Sequence, residues 1–227
     1  MVLEKLRECK YVDKIWLIDN SELMTERFQF LKCDYIFGHG NIGYGRGHNI
    51  AIDKSLETDA DYHLVMNSDL QFEPTLLETL AEFMDANKDV AYVMPKVLNV
   101  DGTDQKLAKR LPTPWDLMHR RLFNSDRGSL KLSDDRIWNV PCLSGCFMFL
   151  RSDALRELKA DDGYVFDPRY FLYLEDFDLS RRLYMRYRTI YYPALTITHY
   201  HRRESYKSLR IGLIHTLSMI KYFWKWK

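Results

Sequence analysis

The sequence has 227 residues, of which 46% are hydrophobic and 29% are charged, and its formal net charge at pH 7 is +1. This composition is typical of a folded globular protein and excludes an intrinsically disordered chain. The balanced charge gives no reason to expect a nucleic-acid partner, and the length suits one α/β domain with a small appendage.

Helices and strands are predicted to alternate through the first hundred residues, because the spacing of apolar residues changes repeatedly between helical and extended periods. This alternation favours parallel strands joined by helical crossovers, with ligands bound at the carboxyl ends of the strands. The predicted elements are a helix over 2–10, strands over 14–18 and 35–37, a helix over 48–56, a strand over 62–66, a helix over about 74–84 and a strand over 90–94.

The second half of the chain is less regular. Residues 99–139 are polar and poorly periodic, which predicts a long loop with a short helix, suited to an acceptor-side lid. We expect a main domain over residues 1–204 and an amphipathic helix over residues 205–227. The elements predicted after the loop are a strand over 146–150, a helix over 174–187 and a strand over 190–198.

The cysteines and the hydropathy pattern indicate a cytoplasmic protein. The four cysteines form no C-x-x-C pair and no zinc-site spacing, so we expect reduced and mostly buried thiols. The charged N-terminus lacks the apolar segment of a signal peptide, and no apolar run is long enough to span a bilayer.

The first candidate site is Asn67-Ser68-Asp69, directly after a short hydrophobic strand. A carboxylate at the end of a strand can hold a hard divalent cation, which would bridge the two phosphates of a sugar nucleotide. The alternative is a polar turn, since Asn, Ser and Asp all favour turns, and for this segment alone the turn is the stronger interpretation.

The second candidate site contains three carboxylates within four positions, Glu175, Asp176 and Asp178, behind an aromatic-rich segment. One carboxylate could take the proton from an acceptor hydroxyl as that oxygen attacks an anomeric carbon. Direct attack inverts the anomeric centre and needs a single base. The alternative is a helix start, in which acidic residues complement the helix dipole and Asp178 pairs with Arg182.

Two further segments give weaker signals. The glycine-rich stretch 41–49 could present backbone N–H groups to a phosphate, but it lacks the ending of a P-loop and the spacing of a dinucleotide fingerprint. The segment 198–203 offers His199 as a metal ligand and arginines for a diphosphate. Its alternative is a basic surface turn, which we favour for His201.

In this order, these segments resemble the inverting family 2 glycosyltransferases of the GT-A fold, in particular the bacterial rhamnosyltransferase-like branch. The resemblance spans nearly the whole chain. It implies an α/β fold with a mostly parallel central sheet flanked by helices, followed by the C-terminal amphipathic helix. The motifs that carry it lie at residues 17–21, 41–49, 66–69, 143–146, 166–179 and 197–199.

The resemblance also implies roles for individual residues. It implies a bound Mg²⁺ or Mn²⁺, held by Asp69 and His199. Asp176 matches the catalytic base, with Glu175 beside it, and Asn67 stands where many members carry an aspartate. The residues implied in donor binding are Asp19, Asn20, Asn41, Gly43, Asn67 and Ser68, and those on the acceptor side are Gly145 and Tyr173.

The sequence departs from the family at its start. Members begin with a buried strand that grips the nucleotide, and nothing before Val2 supplies it. We therefore expect this chain to be an N-terminally truncated reading of its gene. If Met1 is the true start, donor binding is in doubt and the sheet has an exposed inner edge.

The implied activity is transfer of a sugar from a nucleotide-diphosphate donor to a saccharide or lipid-linked saccharide in cell-surface polysaccharide synthesis. Rhamnose is the donor sugar that the branch suggests. The lysines and aromatic residues of 221–227 are compatible with peripheral contact at the inner face of the plasma membrane and equally with a helix docked on the protein. A homodimer is left open.

Two other functions are weighed against this one. An inactive or truncated glycosyltransferase-like scaffold is favoured by the absent first strand but opposed by the retained acidic residues and His199. A nucleotidyltransferase is disfavoured because the chain has no N-terminal glycine-rich loop with basic residues.

Overall fold

The computed structural model describes residues 2–25, 33–123, 125, 127–200 and 209–227. Helices and strands alternate in it as the sequence predicts. In chain order the elements are α1 (Val2–Glu8), β1 (Trp16–Ile18), β2 (Asp34–Ile36), α2 (Tyr44–Leu56), β3 (Tyr62–Met66), β4 (Leu70–Gln71), α3 (Thr75–Ala86), β5 (Val90–Leu98), α4 (Pro114–Phe123), β6 (Trp138–Asn139), β7 (Phe147–Arg151), α5 (Ser152–Asp162), α6 (Glu175–Tyr184), β8 (Arg188–His199) and α7 (Leu209–Lys225).

The strands form two sheets. β1 and β2 make a two-stranded parallel sheet, whereas the other six strands form a larger sheet in which β3, β7, β5, β8 and β4 are neighbours in that order and β6 pairs with β8. The core lies against the larger sheet, where β5 and β7 consist almost entirely of buried residues.

The expectation of a mostly parallel sheet is wrong. β5 and β8 run parallel, but β7 lies between β3 and β5 and is antiparallel to both. Because β7 is antiparallel to β5, it begins at the end of the sheet where β5 ends, so the long segment between β5 and β7 stays at that end and no helical crossover is needed.

Three elements of the structure have no counterpart among the predictions, namely β4, β6 and α5. α5 begins directly after β7 and is followed by Gly163, which adopts the left-handed conformation common after helices. α2 begins four residues earlier than predicted.

All four cysteines are free and three of them are buried, as expected. Within the described residues, no helix is long and apolar enough to cross a membrane.

Candidate active site

The turn after β3 meets the start of β7. In the antiparallel register of these strands Met66 lies opposite Phe147, so the carboxyl end of β3 is beside the amino end of β7. The backbone N–H of Asn67 donates to the carbonyl of Cys146 at 2.9 Å. Two motifs whose bonded residues, Asn67 and Cys146, are 79 positions apart in the sequence are thereby joined through a backbone contact.

The pairing of β4 with β8 brings Asp69 to His199. Leu70 lies opposite His199 in this register, and the N–H of Tyr200 donates to the carbonyl of Asp69 at 2.9 Å. The Nε2 of His199 is then 3.2 Å from Oδ1 of Asp69 and 3.5 Å from Nδ2 of Asn67.

Gln105 fixes which nitrogen of His199 faces the carboxylate. The amide nitrogen of Gln105 points at two carbonyls, those of Leu98 and His199, at 3.5 and 3.4 Å, and its oxygen lies 3.2 Å from Nδ1 of His199. Because an amide oxygen only accepts, Nδ1 carries the hydrogen, and in the neutral ring Nε2 presents its lone pair to Asp69.

This arrangement fits a divalent cation. A lone pair and a carboxylate oxygen 3.2 Å apart repel each other unless a proton or a cation lies between them. Metal-binding histidines usually donate their other N–H group to an oxygen acceptor, and here that acceptor is the amide oxygen of Gln105. Within the described residues no group of three or more His, Cys, Asp or Glu side chains converges, so such a cation would take further ligands from a bound diphosphate and water.

Asp176 lies in the first turn of α6, at its N-terminal end. Its Oδ2 accepts a hydrogen bond from the N–H of Gly145 and its Oδ1 accepts one from the N–H of Phe177, both at 2.9 Å. A Cβ on residue 145 would lie 3.0 Å from the Cβ of Asp176, so glycine at this position permits the close approach. The carboxylate is held in one orientation and stays partly exposed.

Glu175 differs sharply from its neighbour. Its side chain is 4% exposed, and Oε2 has no hydrogen-bond partner among the described residues. Burial, together with the negative charge of Asp176, raises the pKa of Glu175 well above its ordinary value. The protonated form of Glu175 is therefore favoured, and the negative charge of the pair rests on Asp176.

Tyr44 joins the two carboxylate sites. Its hydroxyl donates to the carbonyl of Gly145 at 2.6 Å and lies 3.3 Å from Oδ1 of Asn67. Burial raises the pKa of Tyr44, so the hydroxyl remains a donor. Five contacts thus lead from one acid to the other, through Asp69, His199, Asn67, Tyr44, Gly145 and Asp176 in turn.

Asp19 lies at the end of β1 and is bound by hydroxyl groups. Its Oδ2 accepts hydrogen bonds from Tyr35 at 2.6 Å and from Thr25 at 3.0 Å. The hydrogen bond from Tyr35 is the main cause that lowers the pKa of Asp19. The ionised carboxylate is therefore present at neutral pH.

Gly43 links the candidate donor residues Asn20 and Asn41 to the helix α2. Asn20 donates to its carbonyl at 3.2 Å, and Asn41 accepts from its N–H at 3.1 Å. The φ of Gly43 is 95°, and a Cβ at this position would lie 2.2 Å from the carbonyl oxygen of Phe171. No residue other than glycine fits here without displacing the backbone.

A cleft of about 1030 Å³ runs between β1, α2 and β3. Its walls include Asn20, Asn67, Ser68 and Asp69, four of the residues expected to bind donor or metal. A cleft of this size can hold a nucleotide sugar. The remaining candidates, which include Asp19, Asn41, Gly43, Asp176 and His199, are outside its lining.

The segment before Asp176 packs against α7. Tyr173 makes an edge contact with the ring of His215, 5.1 Å between centroids, and Ser218 donates to the carbonyl of Leu172. The third acidic residue of α6, Asp178, is fully buried and accepts a hydrogen bond from Arg182, which is the pairing that the helix-start alternative predicts. His201 lies outside the described residues.

Sequence analysis assigned no role to Tyr44 or Gln105. Tyr44 stands inside a quoted motif, between Gly43 and Gly45, and its position there was the signal that could have found it. Gln105 lies in the poorly periodic segment, 94 positions before the histidine that it orients, and no local pattern marks it.

Comparison with known proteins identifies the family. The sequence model described as "Glycosyl transferase family 2" matches residues 3–159. This chain belongs to glycosyl transferase family 2. The match covers the candidate donor residues and Asp69, whereas Asp176 and His199 follow it in the chain.

Two curated members of family 2 are rhamnosyltransferases similar to this chain. The N-acetylglucosaminyl-diphospho-decaprenol L-rhamnosyltransferase of Mycobacterium tuberculosis (strain H37Rv) is 26% identical over 188 residues, covering 70% of this chain and 56% of the relative. Rhamnosyltransferase WbbL of Escherichia coli (strain K12) is 27% identical over 220 residues, covering 90% and 79%. The chain thus spans little more than half the length of the mycobacterial protein.

Solved structures share the fold. GalNAc-T7 with UDP, GalNAc and Mn²⁺ superposes with a TM-score of 0.58 at 14% identity, over 84% of this chain and 38% of the other. Residues 1–349 of TarS from S. aureus give a TM-score of 0.52 at 15% identity, over 88% and 55%. These likenesses confirm the glycosyltransferase GT-A architecture that the motifs predicted.

Proposed function

We propose that this chain transfers rhamnose from a nucleotide-diphosphate donor to a hydroxyl of a lipid-linked saccharide, with inversion and with a bound Mg²⁺ or Mn²⁺. The proposed setting is cell-surface polysaccharide synthesis at the inner face of the plasma membrane. The observation that supports the proposal is the chain of contacts between Asp69 and Asp176, which would connect the proposed cation site to the proposed carboxylate base.

On the donor side, Asp69 and His199 would hold the cation, and Asn20, Asn67 and Ser68 line the cleft where the nucleotide would lie. When bound, the metal stabilises the negative charge that develops on the diphosphate as the sugar leaves. Gln105 keeps Nε2 of His199 directed at the site.

On the acceptor side, Asp176 would accept the proton of the incoming hydroxyl. The N–H groups of Gly145 and Phe177 orient its carboxylate. Neutral Glu175 leaves the charge on Asp176. Direct, inverting displacement requires only one base, and with Glu175 neutral Asp176 would be that base.

The names of the relatives support the choice of substrates. The mycobacterial relative is named for L-rhamnose transfer to N-acetylglucosaminyl-diphospho-decaprenol, and the Escherichia coli relative is also named a rhamnosyltransferase. A lipid-linked saccharide is therefore the acceptor we propose, and deoxythymidine-diphosphate rhamnose is the donor.

The test is a transfer assay with the full chain, deoxythymidine-diphosphate rhamnose, Mn²⁺ and a water-soluble short-chain analogue of N-acetylglucosaminyl-diphospho-decaprenol. We expect a product whose anomeric configuration, read by NMR, is opposite to that of the donor, and loss of product when EDTA is added. A product of retained configuration would refute inversion, and unchanged rates in EDTA would refute the metal. If the protein transfers a sugar from another nucleotide sugar but not from deoxythymidine-diphosphate rhamnose, the donor assignment is wrong.

A further inference from the structure

The C-terminal helix α7 carries an exposed apolar stripe. Leu213, Leu217, Ile220 and Trp224 are 62%, 47%, 62% and 71% exposed. They follow one another at intervals of four, three and four residues, which places them on one side of a helix. Large apolar side chains that are exposed together in this way mark an interaction surface.

The opposite side of α7 is fixed to the protein. Tyr222 is fully buried, and Ser218 donates to the carbonyl of Leu172 at 2.8 Å. Lys225 and Trp226 both bond to the buried carboxylate of Asp178, at 2.8 and 2.9 Å. The stripe therefore faces outward because the other side is already occupied.

Helix α4 continues this surface. It packs beside α7, since Leu117 belongs to the same buried cluster as Tyr222. α4 also exposes three large apolar side chains, those of Trp115, Met118 and Phe123. Two neighbouring helices thus present apolar residues to the outside.

Positive charge accompanies the stripe. Residues 205–227 contain five basic residues and no acidic residue, although the whole chain has a net charge of only +1. One of the five, Lys225, is paired with Asp178 on the inward side. Arg210 and Lys221 are exposed, and at 100° per residue they lie about 60° and 80° around the helix from Leu213. Cations beside an apolar stripe match the headgroups and acyl chains of an anionic lipid surface.

We infer that α4 and α7 form a docking surface on which the protein rests against an anionic bilayer, with α7 in the plane of the interface. Three of the four stripe residues are aliphatic and suit acyl chains. The inference rests on the proposed function, because a lipid-linked acceptor would be met at this surface. Docking would bring the segment 171–174, which packs on α7, and the adjoining Asp176 close to the membrane.

Vesicle flotation tests the inference. The full chain is mixed with vesicles of phosphatidylcholine containing about one third phosphatidylglycerol, or of phosphatidylcholine alone. We expect binding to the anionic vesicles, a loss of about tenfold or more in Ile220→Glu and Trp224→Glu, and a loss of about fivefold in Arg210→Gln. Phe123→Glu should also weaken binding if α4 takes part as inferred.

The matched control is Val100→Glu, which places the same charge at an apolar side chain that is 67% exposed and lies outside α4 and α7. It should float like the wild type. Failure of the wild type to float, or equal losses in Val100→Glu and Ile220→Glu, would overturn the inference. So would a lipid-free dimer that Ile220→Glu dissociates, since the stripe would then bind a second copy.

Transfer to the water-soluble acceptor separates this inference from the proposed function. Ile220→Glu should retain the wild-type rate in that assay, whereas transfer to the decaprenyl acceptor in anionic vesicles should fall. If the wild type floats but transfers nothing, the proposed function fails and the docking surface stands. If the wild type transfers rhamnose but does not float, the docking surface fails and the proposed function stands.

Discussion

Two parts of the candidate site, one around Asp176 and one around Asp19 and here called its two walls, are built differently. The wall that carries Asp176 rests on β7, four of whose five residues are buried, and on α6 in the centre of the molecule. The wall that carries Asp19 consists of β1 and β2, three residues each and none buried, in a sheet separate from the larger one. We therefore propose that the chemistry takes place on a well-packed support and that the donor is recognised on a lightly packed one.

The largest test of this comparison is Asp176→Asn. If the buried wall carries the chemistry, kcat for transfer to the soluble acceptor should fall by about 10² to 10⁴-fold, because the base is removed. The donor KM should change little. Steady-state kinetics with both substrates varied measure the two effects, and a variant with wild-type kcat would exclude Asp176 as the base.

Glu175→Gln probes the same wall through stability. Because the pKa of Glu175 is raised in the folded state, the folded protein keeps its proton at pH values where the unfolded chain, with a pKa near 4.5, releases it. The wild type therefore loses stability as the pH rises above 4.5, by up to about 1.4 kcal/mol per pH unit. Glu175→Gln should lose less, which urea unfolding at pH 5 and pH 7 would show. Parallel pH dependences in both proteins would contradict the raised pKa.

Gly43→Ala tests the junction between the two walls. A Cβ there meets the carbonyl of Phe171 and a positive φ, so we expect a loss of about 3 kcal/mol in the free energy of unfolding. Gly102→Ala is the control, because Gly102 also has a positive φ but its Cβ would enter open space. It should lose about 1 kcal/mol. Equal losses would mean that the contact with Phe171 yields without strain.

Gln105→Leu tests whether Gln105 orients His199 for cation binding. Without the amide oxygen on Nδ1, the imidazole of His199 is no longer held with Nε2 toward Asp69. The Mn²⁺ concentration for half-maximal activity should rise by about 10 to 100-fold, while the rate at saturating Mn²⁺ is largely recovered. A change in rate with no change in Mn²⁺ dependence would argue against this orienting role.

Asp19→Asn should give the smallest effect and act on binding. Removing the charge that Tyr35 and Thr25 support should raise the donor KM by about tenfold, equivalent to one lost charge-assisted hydrogen bond. The kcat of this variant should equal that of the wild type. If kcat falls as far as in Asp176→Asn, the division between the two walls does not hold.

Local patterns predicted much of the fold. β3 and its polar turn follow from a short apolar run that ends in Asn67, and α6 follows from acidic residues at its start. The glycine-rich segment was expected to be a flexible turn, but α2 begins inside it. Gly45 and Gly47 lie within this helix, where a Cβ would be only 2.9 Å from Phe166 and 3.0 Å from Asn20, so glycine permits the close packing at both positions.

Local patterns could not predict the contacts set by strand register, although the family resemblance implied that Asp69 and His199 hold one cation. The direction of β7 determines that Asn67 meets Cys146, and the short strand β4 determines that Asp69 meets His199. Each pairing joins residues far apart in the sequence, where propensity and periodicity carry no information. The orientation of His199 by Gln105 depends on these registers in turn.

Two consecutive residues other than glycine, Tyr173 and Leu174, have φ values of 70° and 67° directly before Glu175. Left-handed backbone costs such residues about 1 to 2 kcal/mol each. The bend persists because the backbone N–H of Tyr44 donates to the carbonyl of Phe171 and because His215 of α7 packs on Tyr173. Substitutions that weaken the packing of the inward side of α7 can therefore reduce turnover without altering any residue proposed to contact a substrate.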